Sequence, residues 1–244
     1  MLGRKLILKK THDFCGVEKP KLAVVLIHGI ASDSSTYSKA LKYLEGTTSL
    51  KSVRFITFDL LGSGKSISDD KLDYGYEGQI TALYNSIKKL KLKVPLILVG
   101  HSMGTLIAIK YASVYRKSLA HLILLCPPVY TPDDLNTPKF QAEMEAFKKV
   151  VAAKDKKYIN NKAFEDEVEK IVLNKTNWDC LINLKTPAAL IYSNADQIIM
   201  PSNVKKAVKK NNKYLSEIIT IGTHKIAHDK YNKIREVLEE VLNA

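Results

Sequence analysis

Apolar runs of strand length alternate with segments of helical period along most of the chain. Val24–Ile27, Val53–Phe58, Leu96–Val99, Leu122–Leu125, Ala189–Tyr192 and Ile218–Ile221 are short, branched and apolar at nearly every position. Strands covered on both faces read this way, because neither side of the pleat meets water. Tyr76–Lys91 instead sets Ile80, Leu83, Tyr84, Ile87 and Leu90 on one helical stripe. Met103–Tyr115, Asn203–Lys210 and Asp229–Leu242 are further predicted helices. Strand and helix in alternation predict an α/β fold, a mostly parallel central sheet with helices on both faces. Ahead of the first parallel strand, Lys5–Lys10 is expected to pair as an antiparallel edge with residues near Gly16–Lys19.

The alternation breaks once. From Pro127 to Thr186 no strand pattern occurs, and two helical stretches appear: Lys139–Ala153, carrying Phe140, Met144, Phe147 and Val151, and Ala163–Leu173, carrying Phe164, Val168, Ile171 and Val172. A helical insertion between two sheet strands suits a lid over the strand ends, where ligands bind in open α/β sheets. The plainer alternative is an elaborated crossover packed on the sheet. The expected division is a core of residues 1–127 and 186–244 and a helical lid of residues 128–185.

One segment carries most of the chemical information. Leu96–Val99 runs into Gly100-His101-Ser102-Met103-Gly104, and a helical pattern follows at once. Gly-x-Ser-x-Gly on a strand-to-helix turn holds a serine clear of the sheet on a strained backbone. The flanking glycines let strand and helix approach that turn, and the helix N-terminus favours negative charge beside the hydroxyl. Ser102 is therefore the candidate nucleophile.

With this segment in its strand–turn–helix context, the chain resembles the α/β-hydrolase family over nearly its whole length. Val24–Gly29 resembles the family's His-Gly loop after the first parallel strand, and the resemblance implies an oxyanion hole from the backbone N–H groups of Ile30 and Met103. Asp59-Leu60-Leu61-Gly62-Ser63-Gly64-Lys65-Ser66 is similar to the turn after the next strand. Its Gly-Lys-Ser ending is not a nucleotide-binding P-loop, since Asp59 stands where that motif needs glycine. The resemblance assigns the acid to Asp196, in the loop after Ala189–Tyr192, and the base to His224, just past the last strand. Asp179 is the alternative acid and His228 the alternative base. Thr223 departs from the family's usual glycine before the histidine. His12, His101 and His121 lie at other chain positions. The order Ser102, Asp196, His224 is the one this fold uses. By position, His28, Gly29, Tyr37, Val129 and Ile198 are expected around the substrate.

The resemblance implies a serine hydrolase acting through an acyl-enzyme, with no metal and no cofactor, on a small-molecule carboxylic ester of small to medium acyl size. Alternatives on the same triad are a monoacylglycerol or lysophospholipid lipase, an aminopeptidase of the proline-iminopeptidase type, or a C–C bond hydrolase. A non-catalytic binding protein on the same scaffold is the reading from another class.

Composition changes this little. The 244 residues suit one domain with an insertion, and 45% hydrophobic and 26% charged residues are ordinary for a globular chain. The net charge of +13 would suit a nucleic-acid binder, but only Arg4, Arg54, Arg116 and Arg235 are arginine. Scattered lysine mostly solvates a surface, whereas phosphate readers favour arginine's fork. No nucleic-acid partner is expected, and a weak attraction to anionic surfaces stays open. No apolar run approaches the roughly 20 residues of a membrane span. Met1–Lys10 is basic, but Leu6–Leu8 is too short for a signal sequence. Cys15, Cys126 and Cys180 have no paired spacing, which fits reduced thiols and a cytoplasmic setting.

Overall fold

A computed structural model describes residues 6–66, 68–154 and 159–243. Lys9–Cys15 (β1), Leu22–Ile27 (β2), Val53–Asp59 (β3), Leu96–His101 (β4), Leu119–Leu125 (β5), Ala188–Ser193 (β6) and Leu215–Thr220 (β7) form one sheet. Its order is β1-β3-β2-β4-β5-β6-β7, and only β1 runs antiparallel. Every residue of β2, β4 and β6 is buried. The two faces are covered by helices: Ser38–Glu45 (α1) lies on one, Tyr76–Lys89 (α2) and Met103–Tyr115 (α3) on the other. Met103–Ile109 of α3 is buried all round, because the sheet lies on one side and neighbouring helices on the other. This is the α/β-hydrolase fold.

The expected N-terminal edge is replaced by a different pairing. β1 starts at Lys9 and pairs with β3, while Gly16–Lys19 is only a bend; Lys5 lies outside the described residues. The physical reason is length. β3 offers an open ladder from Arg54 to Asp59, which a four-residue bend cannot match. α1 escaped the periodic reading because it is short and buries only Ala40, Leu41 and Leu44. β7 begins at Leu215, earlier than its apolar run, because this edge strand exposes Ser216 and Glu217.

Between β5 and β6 the described chain is helical: Pro132–Leu135 (α4), Pro138–Lys154 (α5), Asn161–Glu167 (α6), a π-helical turn at Val168–Val172, and Asn177–Ile182 (α7). The side chain of Val151, expected on the α5 stripe, lies outside the described residues. A single bridge, Ser63 to Ile159, and the Asn160 N–H donating to Gly62 at 3.0 Å tie this insertion to the turn after β3. Pro201–Lys210 (α8) follows β6. The predicted C-terminal helix is broken near its start into Ile226–Asp229 (α9) and Tyr231–Asn243 (α10). No helix among the described residues is long and apolar enough to cross a membrane.

Candidate active site

β4 ends at His101, and Ser102 turns the chain into α3 with φ of 52° and ψ of −125°. A non-glycine residue seldom adopts positive φ, so the turn is held by its surroundings. The Ser102 N–H donates to the Leu125 carbonyl at 2.9 Å, and the Thr105 N–H and hydroxyl return to the Ser102 carbonyl at 2.9 and 2.6 Å. A Cβ on Gly100 would sit 2.4 Å from the Gly104 carbonyl oxygen, and one on Gly104 would sit 2.3 Å from that of Ile27. Only glycine permits that approach of strand, turn and helix.

The loops after β6 and β7 bring two side chains to this turn. The Ser102 hydroxyl donates to His224 Nε2 at 2.9 Å, and His224 Nδ1–H donates to Asp196 Oδ2 at 2.9 Å. Asp196 Oδ1 accepts from the Ile198 N–H at 2.9 Å, which fixes the carboxylate plane. Burial alone would raise the Asp196 pKa; the His224 hydrogen bond and charge outweigh it and hold the carboxyl below its ordinary range. Ser102 is 8% exposed.

Neither alternative is the partner of Ser102, which pairs with His224. Asp179 is on α7, exposed. His228 sits on a cavity wall, and its pKa is lowered by burial, by Lys225 and by Lys39 against the pull of Asp229. His101 donates from Nε2 to the His224 carbonyl at 2.8 Å. Burial and the neighbouring His224 push its pKa down to about 3, so it is a neutral strut between the turn and the His224 loop. Sequence position left His101 without this role, since its partner is 123 residues away.

Two cavities meet at Ser102. One, of about 120 Å³, is walled mainly by Pro128, Tyr130, Phe140, Met144, Phe147 and Val172, with Glu143 at its edge. The other, of about 170 Å³, has Ser32, Thr36, His101, His224 and His228 in its wall. Ile30, Phe147 and Ile198 border both. Gly29 and Ile198 line the cavity that His224 borders, and Met103 follows Ser102 as the first residue of α3.

His28, Tyr37 and Val129 line neither cavity. His28 is fully buried; its Nδ1–H donates to the Gly29 carbonyl at 2.8 Å and its Nε2 accepts from the Leu60 N–H at 3.0 Å. It braces the 28–32 loop against the turn after β3. Tyr37 is also fully buried and donates to the Ile27 carbonyl at 2.9 Å, and Val129 is packed in the core. Each follows a buried strand or turn so closely that its side chain is claimed by packing. Asp59 is likewise structural, accepting from the N–H groups of Ser34 and Lys65 at 2.9 and 2.8 Å.

Among the described residues, the one group of three metal-ligand types within reach of one another is Cys126, Asp196 and His224. Both His224 nitrogens are already engaged, so this set fits a hydrogen-bonded relay better than a metal centre.

An α/β-hydrolase sheet with a serine, a histidine and an aspartate in file at its strand ends defines the class of protein. Residues 18–177 match the Hydrolase_4 family, described as Serine aminopeptidase, S33, and the chain belongs to this family of hydrolases. Among curated relatives, monoacylglycerol lipase ABHD6 of Bos taurus is 22% identical over 95% of this chain and 78% of its own length. "Probable lysophospholipase BODYGUARD 5" of Arabidopsis thaliana is 30% identical over 46% of this chain. That match spans only 26% of the plant relative's length. Two solved structures share the fold. The monoacylglycerol lipase of Paleococcus ferrophilus has a TM-score of 0.68 at 19% identity, covering 96% of this chain and 99% of that one. The esterase EaEST of Exiguobacterium antarcticum has a TM-score of 0.72 at 18% identity, covering 96% and 94%.

Proposed function

We propose that this protein hydrolyses carboxylic esters through a Ser102–His224–Asp196 triad, with residues 128–185 as a helical lid. The observation that carries the reading is the file of two 2.9 Å hydrogen bonds ending where two cavities meet. Neutral His224 takes the Ser102 proton at Nε2 as the hydroxyl attacks the ester carbonyl. Asp196 keeps Nδ1 protonated and aimed, and stabilises the imidazolium that forms. The backbone N–H groups of Ile30 and Met103 receive the developing oxyanion, with the α3 N-terminus behind them. His224 then protonates the leaving alcohol, and water activated by the same ring releases the acid. The three free thiols suit a reducing, cytoplasmic setting.

The two cavities divide the substrate. The leaving oxygen must meet His224 Nε2 to be protonated, so the alcohol occupies the cavity that His224 lines. Ser32, Thr36 and His228 in its wall suit a compact hydroxylated alcohol. The acyl chain occupies the mainly apolar cavity under α5, whose small volume of about 120 Å³ suits a short to medium chain before the lid must yield. A monoacylglycerol or lysophospholipid ester is the longer-chain variant, in keeping with the names of the relatives. A panel of p-nitrophenyl esters from acetate to laurate tests the reading. Turnover peaking at short to medium chains is expected, with Ser102 labelled by a fluorophosphonate. No turnover at any length would sink it.

A second reading rests on Glu143, the carboxylate bordering the mainly apolar cavity, paired loosely with Lys139 at 3.9 Å. A carboxylate there suits a substrate amine, as an aminopeptidase would require. Aminoacyl amides turned over faster than esters, with the preference lost in Glu143→Gln, would favour it.

A further inference from the structure

Cys126 follows β5 directly, is fully buried, and adopts φ of 51°. Its backbone N–H donates to the Ile191 carbonyl at 2.9 Å, extending the ladder between β5 and β6 by one residue. A β-strand continuation ending in a left-handed non-glycine residue is costly, and such outliers gather at functional sites. The consequence here is directional. The Cys126 sulfur, an Asp196 carboxylate oxygen and a His224 ring nitrogen all lie within 4.8 Å of one another. The proposed triad uses neither this thiol nor the strain that holds it.

We infer that Cys126 is a positioning residue for the reaction: its S–H donates to the Asp196 carboxylate. This inference rests on the triad proposed above. A carboxylate has about four acceptor sites, and the bonds from His224 and from the Ile198 and Ile199 amides leave room for one such donor. The thiol and the carboxyl bias each other as this contact requires. Burial first, and then the negative charge of Asp196, push the Cys126 thiol far above its ordinary range, so it stays a neutral donor. The same contact is among those that hold the Asp196 carboxyl low. The groups facing Asp196 are His224 from the β7–α9 loop, Cys126 after β5, Tyr130 at the lid entry and His101 in the elbow.

The chemical effect follows from competition for one carboxylate. A donor at Asp196 spends part of the oxygen's basicity, so the imidazolium beside it is stabilised slightly less. Removing that donor makes the carboxylate a stronger acceptor for Nδ1–H, and the pair then holds its proton to higher pH.

The test compares Cys126→Ala, which removes the donor, with Cys126→Ser, which keeps a hydroxyl donor. The readouts are the pH profile of kcat/KM on a short p-nitrophenyl ester, and Tm. The acid limb of that profile reports the coupled His224–Asp196 pair. It is expected to move up by about half a unit in Cys126→Ala, a roughly threefold loss of kcat/KM below the limb, and to stay within about 0.2 unit in Cys126→Ser. Loss of packing alone would lower Tm and leave the limb unmoved. Should Cys126→Ala not fold, Cys126→Gly removes the thiol where glycine adopts the backbone freely, and reads the same limb. An unmoved limb in an active thiol-free variant overturns the inference, as does an equal shift in Cys126→Ser. A wild-type protein that turns over no ester fails the proposed function itself, and the inference falls with it.

Discussion

Ser102, Asp196 and His224 are brought into file by three separate loops, and each side chain has its own restraint. Ser102 is held by the turn, Asp196 by the Ile198 amide, and His224 by the His101 bond to its carbonyl. Replacing Asp196 by Asn presents an amide N–H to Nδ1, which favours the wrong imidazole tautomer. The expected result is a fall in kcat of about 10³–10⁴ with little change in KM, measured by steady-state kinetics. Gly104→Ala tests the turn. Its Cβ would meet two carbonyl oxygens at 2.3 and 2.6 Å, and neither belongs to a flexible side chain. A loss of about 2–3 kcal/mol of stability is expected by urea unfolding, together with lost fluorophosphonate labelling. Ser102 and the two glycines were legible in sequence because their constraint is local to five residues. His101 and Cys126 were not, because their partners lie in other loops.

At the scale of elements, the later helices of the insertion after β5 pack on α3 and α8, and its first part is held by defined contacts. Tyr130 and Phe140 pack edge to face at 4.6 Å, and the Tyr130 hydroxyl donates to the Ile198 carbonyl at 2.8 Å. Asn203 at the start of α8 donates to Asp134 Oδ2 at 2.7 Å and to the Val129 carbonyl at 3.2 Å. Phe147 of α5 borders both cavities. Phe147→Ala should lengthen the preferred acyl chain by about two to four carbons, seen as a lower KM for octanoate against butyrate, since deleting a ring opens the wall where the chain would extend.

Glu167, where α6 passes into the π-helical turn, is another element-scale feature. It is fully buried, accepts from Gln79 Nε2 at 3.1 Å, and leaves its other oxygen unpartnered. Gln79 in turn bonds the N–H and carbonyl of Leu61, at 3.0 and 3.1 Å, linking the insertion to the turn after β3. Burial, aided by neighbouring Asp166, pushes the Glu167 pKa well above the carboxylate range. The folded state therefore binds this proton more tightly than the unfolded chain. Stability falls as pH rises from the unfolded value near 4.5 toward the folded one. Glu167→Gln should flatten that dependence. Its Tm relative to wild type is expected to rise between pH 5 and pH 8, and a constant difference would refute the assignment.

At the scale of the molecule, the charge of +13 is carried by lysines spread over the surface. Such a field attracts anionic surfaces without specifying them. Sedimentation with vesicles of anionic phospholipid should show binding at low salt that is lost by about 0.3 M, where the screening length falls to roughly 6 Å. Retention at high salt would instead point to apolar insertion.

Sequence by itself determined the fold class, the strand–turn–helix around Ser102 and the chain order of the candidate residues. These depend on hydrophobic periodicity and on glycine's steric freedom, both properties of neighbouring residues. Tertiary structure decided which histidine and which aspartate face Ser102, since His224 and His228 differ by one helical turn and only the β7 loop's path separates them. It also moved the N-terminal edge strand onto β3, withdrew His28, Tyr37 and Val129 into the core, and set Cys126 beside Asp196. Those outcomes turn on long-range packing and on which polar groups find partners when buried, and no short stretch of sequence encodes either.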